Sequence, residues 1–268
     1  MSESKIKNQK SEIIRAVLFD LGDTLLNFGR IRKTRVFLAG AKAAYAFLKE
    51  HSRYRGRFAW FFLRNLVRLH AKRAISNLQQ RDFDSLALLQ TVGTREGVQL
   101  STEQWEQFAW LWYEPLGRCA SIEPDLVETL GRLKRMGLKL GIVSNTFVNR
   151  ASLERHLREL GLLDFFPLRL YSYEFHCRKP SVEIFRIAAE RIGETARNIV
   201  FVGDRIDNDV EPALASGMKA VLKEARTNQG KKTPPGACRV QRLAELPSLI
   251  EKINAEGRCC RQGPEKPH

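Results

Sequence analysis

The chain has 268 residues, 43% of them apolar, and a formal net charge of +15. This length suits one large domain, or a core with an inserted lobe, and is long enough to bury a hydrophobic core. No apolar run approaches the ~18 residues of a membrane span, and the polar stretch "MSESKIKNQK" is not a signal peptide, so we expect a cytoplasmic protein. Five scattered cysteines without CxxC spacing indicate neither zinc nor a disulfide framework.

The predicted elements begin with a short buried strand, residues 15–19, which ends at Asp20. From Ile31 to about Gly117, apolar and aromatic residues recur at the three-to-four spacing of helices, which predicts a small helical lobe with its own core. Between Arg30 and Arg73 there are thirteen Lys or Arg and one acidic residue. This basic surface is either a solvated face, or it attracts an anionic substrate, nucleic acid or another anionic surface.

After the lobe, strands alternate with amphipathic helices. The segments "LKLGIVSN", "LRLYS", "NIVFVGD" and "KAVLK" read as strands, whereas "RTNQGKKTPPGACR" reads as a loop from its Gly, Pro and basic content. Such alternation predicts an α/β fold, a Rossmann-like parallel sheet core with an inserted helical cap domain. We place the core at 13–27 plus 122–255, the cap at 28–121, and disordered tails at 1–12 and 256–268.

Polar side chains follow the predicted strands where each one ends. Asp20, the pair Ser144–Asn145 and Asp204 stand at three strand ends, and Lys179 comes a short loop after a fourth. The carboxyl ends of parallel strands meet at one crevice. Carboxylates hold Mg²⁺, a lysine neutralises phosphate oxygens, and the amides at a helix start cradle phosphate. The sequence therefore predicts a site for phosphoryl chemistry.

Four segments, "FDLGDTL", "GIVSN", "RKP" and "VFVGDRIDND", resemble in order and spacing the four motifs of the haloacid dehalogenase-like (HAD) hydrolases. The resemblance covers about residues 16–222, and the helical lobe stands where one subgroup of the family carries a helical cap. The resemblance implies that Asp20 is a nucleophile that forms an aspartyl-phosphate. It also implies that Ser144 and the backbone of Asn145 bind the transferring phosphoryl group, and that Lys179 steadies the nucleophile and the phosphate.

The same resemblance implies a magnesium site. Its expected ligands are Asp20, Asp204, the supporting carboxylate Asp209 and the backbone carbonyl of Gly22. The remaining charged residues of the motifs are expected to be exposed at the surface, namely Arg178, Arg205 and Asp207.

One residue departs from the family pattern. The usual first motif is Asp-x-Asp-Gly-Thr, whose second Asp protonates the leaving group and then activates water, but this chain has Gly22 there and Asp23 one residue later. Because adjacent side chains of an extended chain point in different directions, we assign Asp23 a structural role, such as bonding loop amides, in preference to acid/base catalysis. A positioned general acid is worth roughly 10²–10⁴ in rate.

The absence of the second Asp of the first motif has three possible consequences. The enzyme uses leaving groups that need no proton, such as acyl or aryl phosphates; it borrows an acid from the cap, from water or from Asp23; or it is a slow or non-catalytic relative. We expect a Mg²⁺-dependent phosphatase of a small phosphorylated metabolite. The alternatives are a catalytically weak protein that binds a polyanion through its basic cap, and a phosphonatase- or dehalogenase-type hydrolase. Neither the substrate nor the oligomeric state is predicted.

Overall fold

The computed structural model describes residues 13–259. Six parallel strands form one sheet in the order β3-β2-β1-β4-β5-β6, so the chain starts in the middle, builds one half outward and then builds the other. This confirms the predicted α/β, Rossmann-like parallel sheet. The strands are β1 (Ala16–Phe19), β2 (Lys139–Ser144), β3 (Leu168–Tyr171), β4 (Ile199–Gly203), β5 (Lys219–Lys223) and β6 (Ala237–Val240).

Helices cover both faces of the sheet. Because side chains alternate along a strand, Val17 and Phe19 of β1 join one hydrophobic cluster, whereas Ala16 and Leu18 join another. The first cluster includes residues of α5 (Leu126–Arg135), α6 (Arg150–Glu159) and α9 (Leu246–Cys259), and the second includes residues of α7 (Val182–Ile192) and α8 (Glu211–Ala215). The sheet is therefore buried on both sides, which leaves its strand ends as the place for a site.

The segment between β1 and α5 forms four helices: α1 (Lys33–His51), α2 (Phe58–Gln79), α3 (Ser85–Arg95) and α4 (Thr102–Gly117). They share a separate hydrophobic cluster that includes Trp105 and Phe108, with Trp112 packed against it, so this segment has a core of its own, as predicted. Helices α1 and α4 pack closely, since a Cβ at Gly40 would lie 2.8 Å from the carbonyl oxygen of Trp112. The division into a core at 13–27 plus 122–255 and a helical cap at 28–121 stays a prediction.

Two sequence boundaries differ in the structure. The loop predicted over residues 226–239 is wrong in its last part, because β6 begins at Ala237 and pairs with β5 at the sheet edge. Helix α9 runs to Cys259, past the predicted boundary at 255, and the remaining tail residues, 1–12 and 260–268, lie outside the described part of the chain. Among the helices of residues 13–259, none combines the length and apolarity needed to span a bilayer.

Candidate active site

Three polar residues stand at adjacent strand ends. Asp20 directly follows β1, Ser144 is the last residue of β2, and Asp204 directly follows β4. Strand β1 pairs with β2 on one side and with β4 on the other. All three side chains are buried in the crevice at the carboxyl edge of the sheet. The strand order therefore brings these three residues together at one edge of the sheet, as the sequence predicts.

Lys179 connects the carboxylates of this crevice. Its Nζ donates to Asp20 Oδ1 at 2.5 Å and to Asp209 Oδ1 at 2.6 Å, and its side chain is only 2% exposed. Burying an ammonium is costly unless it is paired and hydrogen-bonded. The two carboxylates meet that requirement, and they fix the position of the lysine amine beside Asp20.

A cluster of acidic side chains lies around this contact. Asp20, Asp204 and Asp209 each offer a carboxylate oxygen, and the three oxygens lie within 4.8 Å of one another. With Lys179 as the ammonium that contacts this group, three carboxylates and one ammonium leave two negative charges uncompensated when all are ionised. Oxygen donors with excess negative charge are what a hard divalent cation requires, so these residues fit such an ion.

Burial shifts the ionisation of these groups. It raises the pKa of Asp20 to about 7, although the charge of Lys179 opposes the shift. Burial also raises the pKa of Asp204 to about 6, and a hydrogen bond from Thr227 opposes that shift. Burial disfavours the ammonium of Lys179, but Asp20 and Asp209 outweigh it and raise its pKa. Lys179 therefore remains a cation at neutral pH.

The raised pKa of Asp20 predicts how the stability of the metal-free protein depends on pH. The ordinary pKa is 3.8 and the folded value is about 7, so the folded state holds this proton more tightly. The stabilising contribution of Asp20 to the free energy of unfolding is therefore fully present below pH about 4 and is lost as the pH rises through about 7. We expect the stability difference between Asp20→Asn and wild type to grow in favour of the variant across this window.

Urea unfolding in EDTA at a series of pH values measures the free energy of unfolding of both proteins. Taking the difference between the two cancels the contributions of the carboxylates that they share. Asp207→Asn is the matched control, because it makes the same change from carboxylate to amide at a side chain that is 66% exposed. A difference that stays constant with pH would contradict the prediction.

The side chain of Asn145 has a role that the sequence analysis missed. Its Nδ2 donates to the carbonyl oxygen of Lys179 at 2.7 Å, and its Oδ1 accepts from the N–H of Lys179 at 2.9 Å. These two bonds fix the backbone of Lys179 relative to the end of β2. The only local signal for this role is that Asn145 follows a strand end, and that signal names no partner.

Three further residues hold Asp204 in place and were not predicted. The hydroxyls of Thr24 and Thr227 donate to its two carboxylate oxygens at 3.3 and 2.5 Å. The side-chain amide of Asn228 donates to its backbone carbonyl at 2.7 Å. Each carboxylate oxygen keeps a further lone pair, so these bonds orient Asp204 and leave acceptor capacity for a cation.

The structure shows the surroundings of Gly22 and Asp23, the two residues at which the chain departs from the family motif. Asp23 has φ +55°, which Asp tolerates better than most residues, and its Oδ1 accepts from the N–H of Phe28 at 3.2 Å. The structural role predicted for Asp23, bonding a loop amide, is confirmed. At Gly22 an added Cβ would meet only the Phe28 ring, at 3.8 Å, which is ordinary contact. Residue 22 thus has room for a Cβ.

The prediction that Arg178 is an exposed charge is wrong. Its side chain is 15% exposed, and its Nη1 donates to Asp82 Oδ1 at 2.9 Å. Asp82 lies in the α2–α3 connection and also accepts from the hydroxyl of Ser172, just after β3. The sequence offered no signal for this pair, because its members are 96 residues apart. Arg205 and Asp207 pair with each other at half-exposed positions, as expected for surface charges.

The Asp82 contacts predict a measurable stability effect. Asp82→Ala leaves the mostly buried guanidinium of Arg178 without its carboxylate partner, and breaking a buried pair in this way costs about 3 kcal/mol. Urea unfolding would measure the loss, with Asp207→Ala as the control because an exposed pair contributes only about 0–1 kcal/mol. Equal effects of the two substitutions would show that the Asp82 contacts do not stabilise the fold.

Comparison with known proteins gives consistent results. A family profile described as haloacid dehalogenase-like hydrolase matches residues 14–217. A glyceraldehyde 3-phosphate phosphatase from Methanocaldococcus jannaschii is 40% identical over 98 residues, which are 37% of this chain and 42% of that protein. The match thus spans less than half the length of this curated relative.

Solved structures show the same fold. A HAD phosphatase from Thermococcus onnurineus aligns with a TM-score of 0.56 at 24% identity, covering 88% of this chain and 98% of that one. A 2-haloacid dehalogenase from Pseudomonas syringae aligns with a TM-score of 0.59 at 22% identity, covering 90% of this chain and all of that one. With the family match extending over most of the sequence, the chain belongs to the haloacid dehalogenase-like hydrolases.

Proposed function

We propose that this protein is a Mg²⁺-dependent phosphatase that acts on small phosphorylated compounds through a covalent intermediate at Asp20. The observation that carries the proposal is the contact of Lys179 with Asp20 and Asp209 inside a cluster of three carboxylates. A relative named as a glyceraldehyde 3-phosphate phosphatase supports a small phosphorylated substrate. Retained carboxylates suited to a cation favour phosphate over halide as the group released.

Asp20 is the nucleophile in this mechanism. Its Oδ1 accepts from Lys179, and its Oδ2 receives no hydrogen bond from any described residue, so Oδ2 is available for attack. Attack on phosphorus forms the Asp20 acyl phosphate and breaks the bond between phosphorus and the leaving oxygen, which keeps the bonding electrons. Water then attacks the phosphorus of the acyl phosphate and the bond between phosphorus and Asp20 Oδ2 breaks. Inorganic phosphate leaves, the water gives up a proton to the phosphate or to solvent, and the carboxylate of Asp20 is regenerated.

Lys179 and Ser144 bind the transferring group. The ammonium of Lys179, fixed beside Asp20, neutralises charge on the phosphoryl oxygens. The hydroxyl of Ser144 and the backbone N–H of Asn145, at the end of the neighbouring strand, donate hydrogen bonds to the same oxygens. The side chain of Asn145 keeps Lys179 in position throughout.

Asp20 and Asp204 would hold the cation, with Asp209 as a supporting carboxylate and the carbonyl of Gly22 as a backbone ligand. A bound Mg²⁺ supplies positive charge that polarises the phosphoryl group. Thr24 and Thr227 orient Asp204 for this role.

A phosphate-release screen over phosphorylated metabolites, with and without Mg²⁺, tests the proposal. We expect phosphate release that EDTA abolishes and that Asp204→Asn lowers strongly. Mg²⁺ at about 100 times its dissociation constant should stabilise the wild type by about 2.7 kcal/mol, a rise of about 5 °C in the unfolding midpoint. The rise should be absent in Asp204→Asn and present in Asp207→Asn. Halide release without phosphate release would instead support a dehalogenase.

A further inference from the structure

One face of α2 exposes large apolar side chains to solvent. Eight large apolar residues among those described are exposed, and five of them lie on this single helix. Spacings of three, four, eight and three residues put these five on one side of a helix, and we call them the α2 stripe. Its members and their exposed fractions are Trp60 62%, Leu63 48%, Val67 58%, Ile75 46% and Leu78 85%. Isolated exposed apolar residues are ordinary, but a continuous stripe of them marks an interaction surface.

Basic residues line one edge of the α2 stripe. Arg64, Arg68 and Lys72 recur every four residues along the helix, and α2 contains no Asp or Glu. Arg64 and Arg68 both reach one carboxylate, that of Glu96, at 3.0 and 2.8 Å. Two guanidinium groups sharing one carboxylate leave a net positive charge, and the exposed side chain of Lys72 adds to it. The connection before α2, "RYRGR" at 53–57, contributes three more arginines.

We infer that the α2 stripe docks on an anionic lipid surface. A helix that presents Trp and aliphatic side chains beside Lys and Arg lies in the plane of a membrane interface, with the apolar side chains below the head groups and the cations among the lipid phosphates. The net charge of +15 adds attraction over a longer range. This inference concerns α2 alone and does not depend on hydrolysis at Asp20.

Charge and shape favour this occupant over two others. A second copy of the chain would bring the same basic edge against itself, and like charges across an interface oppose association. Nucleic acid would match the basic edge through its phosphates, but the aliphatic side chains of Leu63, Val67 and Leu78 would gain nothing from a phosphate backbone. A lipid surface satisfies both the apolar stripe and its basic edge.

Sedimentation of the 268-residue chain with vesicles tests the inference. We expect binding to phosphatidylcholine vesicles containing about a third phosphatidylserine, and little binding to phosphatidylcholine alone. Val67→Glu should weaken binding by about tenfold or more, since it puts a charge among buried apolar groups. Val182→Glu, at a 44% exposed position on α7, adds the same charge and should change binding little.

A second pair of variants tests the basic edge. Lys72→Gln should weaken binding about fivefold, the loss expected for one cation at the surface, whereas Lys252→Gln on α9 should not. The tryptophan emission should shift to the blue on vesicle binding. Trp60→Phe should remove most of the shift, because Trp105 and Trp110 are already buried and Trp112 is partly buried against the same helical core.

Three results would overturn the inference. The first is that Val67→Glu fails to weaken vesicle binding more than Val182→Glu does. This would happen if the protein bound no vesicles, or if both variants reduced binding equally because only net charge mattered. The second is a stable dimer, measured by light scattering, that Val67→Glu dissociates. The third is salt-sensitive binding to RNA or DNA in a gel-shift assay that depends on Lys72 and occurs without vesicle binding.

Discussion

Asp20→Asn is expected to reduce Mg²⁺-dependent hydrolysis of p-nitrophenyl phosphate by about 10⁴-fold or more, the scale of losing a catalytic nucleophile. The carboxylate of Asp20 lies at the end of β1 with one oxygen held by Lys179 and the other without a described donor. An amide at this position keeps the shape of the side chain but is a poor nucleophile toward phosphorus. The measurement is phosphate release under saturating substrate, with the unfolding midpoint recorded to show that the variant is folded.

Asp207→Asn is the matched control for this substitution. It makes the same change from carboxylate to amide, but the side chain of Asp207 is 66% exposed and pairs with Arg205. We expect its activity to stay within about twofold of wild type, as surface substitutions usually have small effects. Acid quenching during turnover should also trap a phosphoryl label on the peptide that contains Asp20, and Asp20→Asn should carry none. Equal activity in Asp20→Asn and wild type would remove Asp20 from the mechanism.

Much of this site could be predicted because its main residues stand at strand ends. Asp20, Ser144 and Asp204 each follow an apolar run, and the alternation of strands and helices fixes those ends at one edge of a parallel sheet. These features are local in sequence, and the parallel topology converts them into proximity in space.

The residues that support the site could not be predicted in the same way. Thr24 lies 180 residues from Asp204, and Asp82 lies 96 residues from Arg178, so packing decides both contacts and no local pattern announces them. Strand β6 was missed for a related reason. Its four residues follow a segment rich in Pro and Gly, three of them are only partly buried, and they pair with β5 alone. A short edge strand of this kind has a weak pattern of its own.

Gly22→Asp is expected to raise the rate of hydrolysis of alkyl phosphates by about 10²- to 10⁴-fold, the range of a positioned general acid. That gain corresponds to about 3–5 kcal/mol of activation barrier. The backbone leaves space for the first atom of a side chain, because an added Cβ at residue 22 meets only the ring of Phe28, at 3.8 Å. The hydrogen bonds of this turn, from Asp23 N–H to Leu26 and from Leu26 N–H to Leu21, involve backbone atoms and do not require glycine.

The gain should depend on the leaving group. An alkoxide needs a proton as it departs, whereas a p-nitrophenolate leaves readily without one. The ratio of rates, Gly22→Asp over wild type, should therefore be large for alkyl phosphates and near one for p-nitrophenyl phosphate. Steady-state kinetics on a series of phosphates with leaving groups of rising basicity would measure this trend.

Gly22→Asn separates acid catalysis from other effects of a side chain at this position. Asparagine has the size of aspartate and the same steric contact with Phe28, but it cannot transfer a proton as a carboxylic acid does. If the missing acid limits the wild type, Gly22→Asp should be fast and Gly22→Asn should stay at the wild-type rate. If both variants match wild type on alkyl phosphates, another group already protonates the leaving oxygen. Asp23 is a poor candidate for that group, because its carboxylate is already bonded to the Phe28 amide. Water, or a side chain from the helices between β1 and α5, would then supply the proton, and Asp23→Asn should leave the rate unchanged.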